Sequence, residues 1–502
     1  MKILMPIQFS RSSSLILVTA ICAFASDRTF FAQTTPVVQL VKDINPGQTS
    51  SDPGFGFVTL GGIAYFRAND GTHGYELWRS DGTEAGTQLV SDLNPGLPNG
   101  FPDNLAVANG SLYFTAFNDP GYIGSKVWRS NGSPSGTILL ADTYPGLVGG
   151  GIFGPPLPRN FTALNANTVV FAALDPVAGL EPWKTDGTPP GTNRIVDLHP
   201  GPEWSVPTEF TRLDNVAYFA ADDSAVYLPG TVIYNRELFR TDGTAEGTYR
   251  VKDIYPGVKP SIPTDFIRYQ QQVFFRASDP AHGSELWRTD GTTAGTNLVA
   301  DLNPGRFGSD LQDPITAKVT SAGETKTVLV FLADDGRHGL ELFRSDGTEA
   351  GTRLIKDINP TGDSFPQGMT SFNGRVYFSA DDGAHGTEPW VTDGTTAGTH
   401  LLADLNAGSL RSGPDSFTVV GDKLFFVAIV PDDAHDTVRT QLWITDGTSA
   451  GTKLIYQEPG VSYGYSINEL TALGSKLLFT APKSADADGF SRDIELFSAL
   501  IE

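Results

Sequence analysis

Histidine is the residue type whose placement in this sequence most directly suggests chemistry. Five of the seven histidines occupy one position of a repeated segment, usually Asp-Gly-x-His-Gly, namely His73, His282, His338, His385 and His435. Imidazole beside carboxylate can bind a metal, but five copies placed around a closed array are too far apart to share one ion at bond lengths of about 2 Å. We predict that each histidine stabilises its own turn and contributes to a ligand-binding surface, and we assign no metal site to it.

Two acidic positions recur in the same way. A glutamate lies two residues before the Trp or Phe of most units, at Glu76, Glu181, Glu237, Glu285, Glu341, Glu388 and Glu495, with Lys126 and Gln441 as exceptions. An aspartate ends the following strand, at Asp43, Asp92, Asp142, Asp197, Asp253, Asp301, Asp357 and Asp404. One active site does not need seven equivalent acids, so we predict that the glutamates accept hydrogen bonds from buried donors. The aspartates are predicted to bind the amides of the next turn, with calcium coordination as the alternative.

No catalytic group can be singled out from the sequence. It contains no recognisable Ser-His-Asp arrangement, phosphate-binding loop or zinc signature. The segment 486–489 begins like a calcium-binding loop but lacks the later glutamate. We therefore expect a protein that is not an enzyme and that needs no cofactor, calcium being the one possible exception.

The elements that position these residues come from a repeat extending from near residue 37 to near residue 498. An Asp-Gly-Thr turn, once Asn-Gly-Ser, recurs at intervals of 47 to 56 residues, beginning at Asp81, Asn131, Asp186, Asp242, Asp290, Asp346, Asp393 and Asp446. Each unit contains four short segments that are rich in β-branched and aromatic residues and bounded by Gly, Pro, Asn or Asp, which indicates four β-strands. Four-stranded units repeated at this length are typical of propeller blades.

The two ends of the repeat array carry complementary parts of one unit. Residues 37–47 match only a fourth strand, whereas residues 469–497 match the first three strands. A ring closed by pairing the N-terminal strand with the last blade leaves no open sheet edge. We therefore predict an all-β, closed β-propeller of about nine four-stranded blades, the last completed by the N-terminal strand. Eight blades plus an extra terminal sheet is the alternative.

The repeated Glu-Leu-Trp-x-x-Asp-Gly-Thr segment, as at residues 285–292, resembles the unit of the bacterial ELWxxDGT repeat family of exported proteins. The resemblance covers nearly the whole chain after the first 36 residues, because the segment recurs eight times with small variations. It implies an exported protein with propeller-like repeats. It implies no catalytic motif, since the signature of that family is structural.

The N-terminal segment has the pattern of a secretory signal peptide. A basic start precedes an apolar run from Leu15 to Phe24, followed by a small-residue cleavage site after Ala25. The run is too short to span a bilayer core of about 30 Å, and the only cysteine, Cys22, lies within it. The predicted organisation is a signal peptide at 1–25, a short linker at 26–36 and one propeller domain at 37–502. We therefore expect secretion, to the periplasm, the cell surface or the medium.

The net charge of −22 limits which partners the protein can bind. A surface this acidic repels nucleic acid and anionic membranes. We expect a monomer without a membrane span that binds an extracellular glycan or protein.

Loop length indicates which face of the ring binds the ligand. In an up-and-down blade, the turns between second and third strands and the links to the next blade lie on one face, which we call the loop face. The Asp-Gly-Thr turns lie on the opposite face and keep one length. All large insertions are assigned to the loop face, namely residues 147–160, 222–235, 306–326 and 431–440. Trp204, Tyr227, Tyr234 and Phe307 are predicted there, because exposed aromatic rings among variable loops can stack on sugars or anchor a protein.

These expectations combine into a secreted or cell-surface binding or scaffold protein whose loop face engages a glycan or a protein. A propeller also supports other functions. The alternatives are an extracellular hydrolase or lyase acting on polysaccharide, and a calcium-dependent adhesin.

Overall fold

The computed structural model describes residues 36–47, 50–96, 98–119, 121, 124–145, 158–201, 203–228, 231–257, 259–321, 323–432, 437–462, 464, 466–486 and 488–500. The predicted signal peptide, nearly all of the predicted linker, and His435 lie outside these residues. Within the described part, no helix is long and apolar enough to cross a membrane.

The segments rich in β-branched and aromatic residues form β-strands, as the sequence predicts. The first are β1 (Val37–Lys42), β2 (Gly54–Leu60), β3 (Ile63–Asn69), β4 (Tyr75–Ser80), β5 (Gln88–Ser91), β6 (Asp103–Ala108), β7 (Ser111–Ala116), β8 (Lys126–Ser130), β9 (Ile138–Ala141), β10 (Arg159–Asn165), β11 (Thr168–Asp175), β12 (Gly179–Thr185) and β13 (Asn193–Arg194). Next come β14 (Thr208–Leu213), β15 (Val216–Leu228), β16 (Thr231–Thr241), β17 (Tyr249–Lys252), β18 (Thr264–Tyr269), β19 (Gln272–Asp279), β20 (Gly283–Thr289), β21 (Asn297–Ala300), β22 (Gln312–Ser321), β23 (Glu324–Asp334), β24 (Leu340–Ser345) and β25 (Arg353–Lys356). The last are β26 (Gln367–Phe372), β27 (Arg375–Asp381), β28 (Thr387–Thr392), β29 (His400–Leu401), β30 (Asp415–Val420), β31 (Lys423–Asp432), β32 (Thr437–Thr445), β33 (Lys453–Gln457), β34 (Asn468–Leu473), β35 (Lys476–Ala485) and β36 (Ser491–Leu500). A 3-10 turn, Pro134–Gly136, is the one helical element that the structure shows in its described part.

The strands form nine antiparallel four-stranded sheets, which we number as blades 1 to 9 from β2 onward. The first strands of neighbouring blades contact one another around the whole ring, and β34 of blade 9 contacts β2 of blade 1. Blade 9 has the order β1-β36-β35-β34, with Val37 paired to Leu500 and Lys42 to Leu496. The predicted nine-bladed ring, completed by the N-terminal strand, is therefore confirmed.

The hydrophobic core lies between adjacent blades rather than at one centre. The repeated Trp of blade 5, Trp287, packs against Leu213 and Tyr218 of blade 4, and Phe275 joins the same cluster. Each of these side chains is nearly inaccessible to solvent. Because every unit buries its apolar faces only by stacking on its neighbours, the blades support one another.

Each Asp-Gly-Thr turn is closed by hydrogen bonds from its own side chains. Asp290 Oδ1 accepts from the amide of Thr292 at 2.9 Å and from its hydroxyl at 2.8 Å. Gly291 has φ = +91°, and a Cβ there would lie 2.1 Å from the Tyr218 hydroxyl of the preceding blade. Both the left-handed backbone and the close contact require glycine.

The larger part of the insertion at residues 306–326 does not lie where the sequence analysis places it. The extra residues lengthen β22 and β23, whose connecting turn follows Ser321, on the same face as the Asp-Gly-Thr turns. The amide of Thr320 donates to the carbonyl of Gly374, 2.9 Å away in the corresponding turn of blade 7. The assignment to the loop face is therefore wrong for the residues that lengthen β22 and β23, because the alternation of strands moves their turn to the opposite side, whereas residues 306–311 belong to the link between blades 5 and 6 on the loop face.

Candidate binding face

The links between blades carry an unusual backbone conformation at one position. A residue that follows Ser or Gly, and usually precedes Pro, has φ between +41° and +47° in six links: Asp52, Phe101, Val206, Ile262, Asp310 and Phe365. We call these six the rim residues. Side chains with a Cβ rarely adopt such angles, and β-branched or bulky ones least of all. The chain therefore holds strained backbone around its loop face.

Hydrogen bonds from two blades hold each rim residue in place. The link from blade 4 to blade 5 is typical: the amides of Ser261 and Ile262 donate to the carbonyl of Arg236 at 3.1 and 3.2 Å. The Ser261 carbonyl in turn accepts from the amide of Ser278 in blade 5 at 2.8 Å. Because main-chain bonds fix the conformation, the rim side chain is free to differ from blade to blade.

The repeated glutamate also holds this link in place through hydrogen bonds. In blade 4, Glu237 accepts hydrogen bonds from the amide of Ile254 at 2.9 Å and from the amide and hydroxyl of Ser261 at 3.1 and 2.6 Å. It is fully buried, so its carboxyl group is a structural acceptor, as predicted. Burial raises the pKa of Glu76 to about 8 and that of Glu181, Glu285, Glu388 and Glu495 to about 7, while hydrogen bonds from amides and serines oppose the shift.

Blade 8 keeps this arrangement with a relocated acid. Its third strand carries Gln441 in place of glutamate, but the carboxylate of Glu458 accepts from the amide of Thr440 and from the hydroxyl of Ser466. Glu458 is 1% exposed. The function of the repeated glutamate is thus preserved although its position along the chain has changed.

The fourth-strand aspartates bind turn amides only in part, as blade 1 shows: Asp92 Oδ2 accepts from the amide of Gly96 at 3.3 Å. The amide of Leu93, which follows Asp92, donates to Glu76 at 2.7 Å rather than to the aspartate. One carboxylate oxygen in each of six blades is buried without a hydrogen-bond partner in the described chain: Oδ1 of Asp43, Asp92, Asp197, Asp253, Asp301 and Asp357. The prediction that these aspartates bind turn amides is therefore confirmed in blade 1 for the amide of Gly96, whereas the first amide after the aspartate is bound by the repeated glutamate.

Two of the rim side chains stand out from the loop face. Ile262 and Phe365 are each 50% exposed. Glycine or asparagine would fit the left-handed backbone with less strain. The backbone conformation therefore gives no reason for a β-branched and an aromatic residue at these two positions.

A third rim residue, Phe101, belongs to an aromatic and charged cluster. The guanidinium of Arg67 lies 5.4 Å from the ring centroid of Tyr75 and 5.6 Å from that of Phe101, and the two rings stack at 5.5 Å. The Tyr75 hydroxyl donates to Asp52 Oδ2 at 2.8 Å. Burial and this bond raise the pKa of Tyr75 to about 12. The cluster combines a flat apolar surface with fixed polar groups, which suits binding of a ligand with both kinds of surface.

This cluster lines a cavity of about 1040 Å³ between the starts of the first strands of blades 8, 9 and 1. Its carboxylates are already engaged by the protein. Asp52 accepts from Ser50 and Tyr75, and the two oxygens of Glu469 accept from the amides of Gly56 and Phe57 at 3.3 Å. Because both carboxylates accept hydrogen bonds within the protein, neither is positioned to exchange a proton with a substrate.

The predicted histidines serve their own turns. Nδ1 of His73, His282, His338 and His385 lies 2.8 Å from the carboxylate three residues earlier, on Asp70, Asp279, Asp335 and Asp382. That hydrogen bond raises the pKa of each histidine. The four lie in blades 1, 5, 6 and 7 and so do not meet, and a role in ligand binding stays a prediction.

The predicted aromatic residues are also dispersed. Phe307 is 94% exposed in the link after blade 5, Trp204 is 39% exposed in the link after blade 3, and Tyr234 is 43% exposed on β16. No ring contact joins these three among the described residues. Tyr227 on β15 pairs through its backbone with Val232 on β16, but the side chain of Tyr227 lies outside the described part. Sequence reasoning missed the rim residues and Arg67, although the recurring Ser-x-Pro of the links could have indicated the former.

Comparison with known proteins gives similarity of fold. No protein-family model and no curated protein matches the chain. Among solved structures, it is similar to the β-propeller domain of the trilobed protease from Pyrococcus furiosus (11% identity, 71% of this chain and 97% of that chain, TM-score 0.34). It is also similar to Saccharomyces cerevisiae Sqt1 (10% identity, 91% and 97%, TM-score 0.38). A puromycin-hydrolyzing peptidase of Mycobacterium tuberculosis is similar as well (12% identity, TM-score 0.39); the match covers 78% of this chain but only 60% of the peptidase.

Proposed function

We propose that this protein is an exported binding or scaffold protein, without catalytic activity, that engages an extracellular glycan or protein through its loop face. The observation that carries the proposal is the exposure of Ile262 and Phe365 at left-handed backbone positions. Strained residues that the fold does not need are typical of functional surfaces. Exposed apolar side chains among polar loops are typical of binding sites.

The cavity beside Arg67 supports the same proposal. Aromatic rings and a guanidinium held by packing present a rigid contact surface, so a ligand loses little by ordering it. Against the polysaccharide hydrolase or lyase, the carboxylates of Asp52 and Glu469 each accept hydrogen bonds within the protein. A glycosidase pair instead needs one acid that can protonate the leaving group and one that can attack or activate water.

Asparagine substitution tests the role of the rim. Asparagine tolerates positive φ, so the variant Ile262→Asn/Phe365→Asn should fold as well as the parent chain while losing two apolar contacts. We expect a glycan array, and a panel of extracellular proteins, to show binding by the parent chain that falls at least about tenfold in the variant, equivalent to about 1.4 kcal/mol.

A matched control comes from the opposite face. Val107 is 42% exposed on β6, beside the turn at Asn109, and Val107→Asn should leave binding unchanged. Binding that survives the rim substitutions, and also survives truncation of Trp204 and Phe307 to alanine, would overturn the loop-face proposal. Release of sugar from a polysaccharide substrate would favour the enzymatic alternative.

A further inference from the structure

Closure of the ring brings three carboxylates together. Asp43 follows β1, whereas Asp493 and Glu495 lie on β36 of the last blade. One carboxylate oxygen from each of the three lies within 4.8 Å of the others. Asp493 is 5% exposed and Glu495 is fully buried. Three acids from opposite ends of the chain are thus concentrated in one site, in which Asp493 and Glu495 are buried and the Asp43 side chain is 33% exposed.

The protein supplies only part of the charge compensation. Lys483 Nζ lies 2.7 Å from Asp43 Oδ2 and 2.8 Å from Asp493 Oδ2, and Glu495 accepts from the amide of Ile44 and from Ser51. The other oxygens, Oδ1 of Asp43 and Oδ1 of Asp493, are both buried and have no hydrogen-bond partner in the described chain. A buried carboxylate oxygen without a donor is unfavourable unless a cation compensates it.

Asp493 is not explained by the fold. It stands two residues before the repeated glutamate and has φ = +62°. Six other blades carry glycine at this position, with φ from +61° to +78°: Gly74, Gly124, Gly179, Gly283, Gly339 and Gly386. Glycine therefore meets the backbone requirement, and the aspartate adds a carboxylate only at the closure.

We propose that Asp43, Asp493 and Glu495 bind one divalent cation, and that Ca²⁺ is the ion that suits the site. The donors are all oxygens, and two of them are buried without a partner. Ca²⁺ takes six to eight oxygen ligands in flexible geometry, so carboxylates and water together can complete its coordination. Because the ligands come from both β36 and the segment after β1, the ion links the two ends of the ring.

The cation is therefore expected to stabilise the closed ring, since any ligand that binds only the folded state raises its stability. This places calcium at one junction rather than at a site in every blade. In blade 5, for example, Asp301 also has a buried, unpartnered Oδ1, but Gly283 occupies the position of Asp493 and supplies no second acid.

Calorimetric titration of the full chain with CaCl₂, after treatment with EDTA, tests the proposal. We expect about one Ca²⁺ per chain and a melting temperature that rises by several degrees at millimolar Ca²⁺ and returns with EDTA, with a smaller effect of Mg²⁺. Asp493→Gly should abolish both effects while keeping a cooperative transition in EDTA, because glycine fits the backbone there. Asp43→Asn, which keeps the size of the side chain, should weaken binding at least about tenfold.

Asp301→Asn is the matched control, since it removes a carboxylate that also has a buried, unpartnered Oδ1 but lies away from the closure, and this variant should bind Ca²⁺ as the parent chain does. Absence of any Ca²⁺ binding by the parent chain overturns the proposal. Binding retained in both Asp493→Gly and Asp43→Asn overturns it as well, because the ion would then lie elsewhere. Neither result depends on the identity of the ligand bound at the loop face.

Discussion

Glu495 Oε2 lies 2.9 Å from the backbone nitrogen of Ile44, so a single hydrogen bond joins residues 451 positions apart. In the six other blades that carry this glutamate, it binds an amide 17 residues later, as Glu285 binds Leu302 and Glu388 binds Leu405. The closure therefore repeats, between two distant parts of the chain, the hydrogen bond that these blades form locally. The N-terminal segment is thus held in blade 9 as a fourth strand is held in the other blades that carry the glutamate.

Closure should be essential to the stability of the whole molecule. Val41 is 6% exposed and packs with Leu478 and Leu496 of blade 9. Val41→Asp, which buries an unpaired charge, should lower the free energy of unfolding by about 3 kcal/mol or more. Denaturant titration measures the change. Val37→Asp on the same strand is the control: Val37 is 59% exposed, so we expect a change within about 0.5 kcal/mol. Equal effects would argue against closure by this strand.

The glycine of the turn should be irreplaceable because of the neighbouring tyrosine. Gly291→Ala should destabilise the protein by about 2 kcal/mol or more, since the new methyl group meets the Tyr218 hydroxyl and the backbone is left-handed. In a Tyr218→Phe background the nearest remaining atom is Cζ at 3.2 Å, and the cost should fall. A double-mutant cycle on thermal unfolding measures the coupling; additivity would show that the contact is unimportant.

In blade 8, a glutamate at position 441, where most blades have it, should be able to replace Glu458. Glu458→Leu leaves the amide of Thr440 without its acceptor and should cost about 2 kcal/mol. Adding Gln441→Glu restores the residue types found in blade 5, where Glu285 and Leu302 occupy the two positions, and should recover most of the loss. Denaturant titration of the single and double variants measures the loss and recovery of the free energy of unfolding. A double variant no more stable than Glu458→Leu would contradict the spatial equivalence.

The buried glutamates predict a stability that decreases toward alkaline pH. Their pKa values in the folded state, about 7 to 8 for five of them, exceed the ordinary value of 4.5. Between these values the folded state binds more protons than the unfolded state, so the free energy of unfolding falls as pH rises from about 4.5 to about 8. The raised pKa values of the four described histidines act in the same direction.

We expect a loss of more than about 1.4 kcal/mol over this interval, the equivalent of a shift of one unit in a single group. Urea titrations at several pH values measure it. Glu76→Gln and Glu285→Gln, whose side chains do not titrate, should flatten the slope. A stability that rises between pH 5 and pH 8 would show that amide and serine donors keep these carboxylates ionised in the folded state.

Much of the architecture could be predicted because each blade is encoded by a local sequence pattern that repeats along the chain. The Asp-Gly-Thr turn, once Asn-Gly-Ser, recurs in eight units together with four strand-forming segments, and the half-units at the two ends complement each other, so the number of blades and the closure follow. The structural role of the repeated glutamate also followed, because seven equivalent acids are too many for one catalytic site. Each of these inferences needs only the spacing of residues along the chain.

Tertiary structure decided everything that depends on contacts between units. The amide of Leu93, the first after Asp92, is bound by Glu76 on the neighbouring strand, and the insertion around Ser321 lengthens a hairpin on the opposite face. The Arg67 cluster and the rim residues arise where links pack on two blades at once, and the acids at Asp43 and Asp493 meet only when the ring closes. Sequence alone determined the repeated blade, since hydrogen bonds within a blade span few residues. The candidate sites required the folded ring, because their groups come from residues that are distant along the chain.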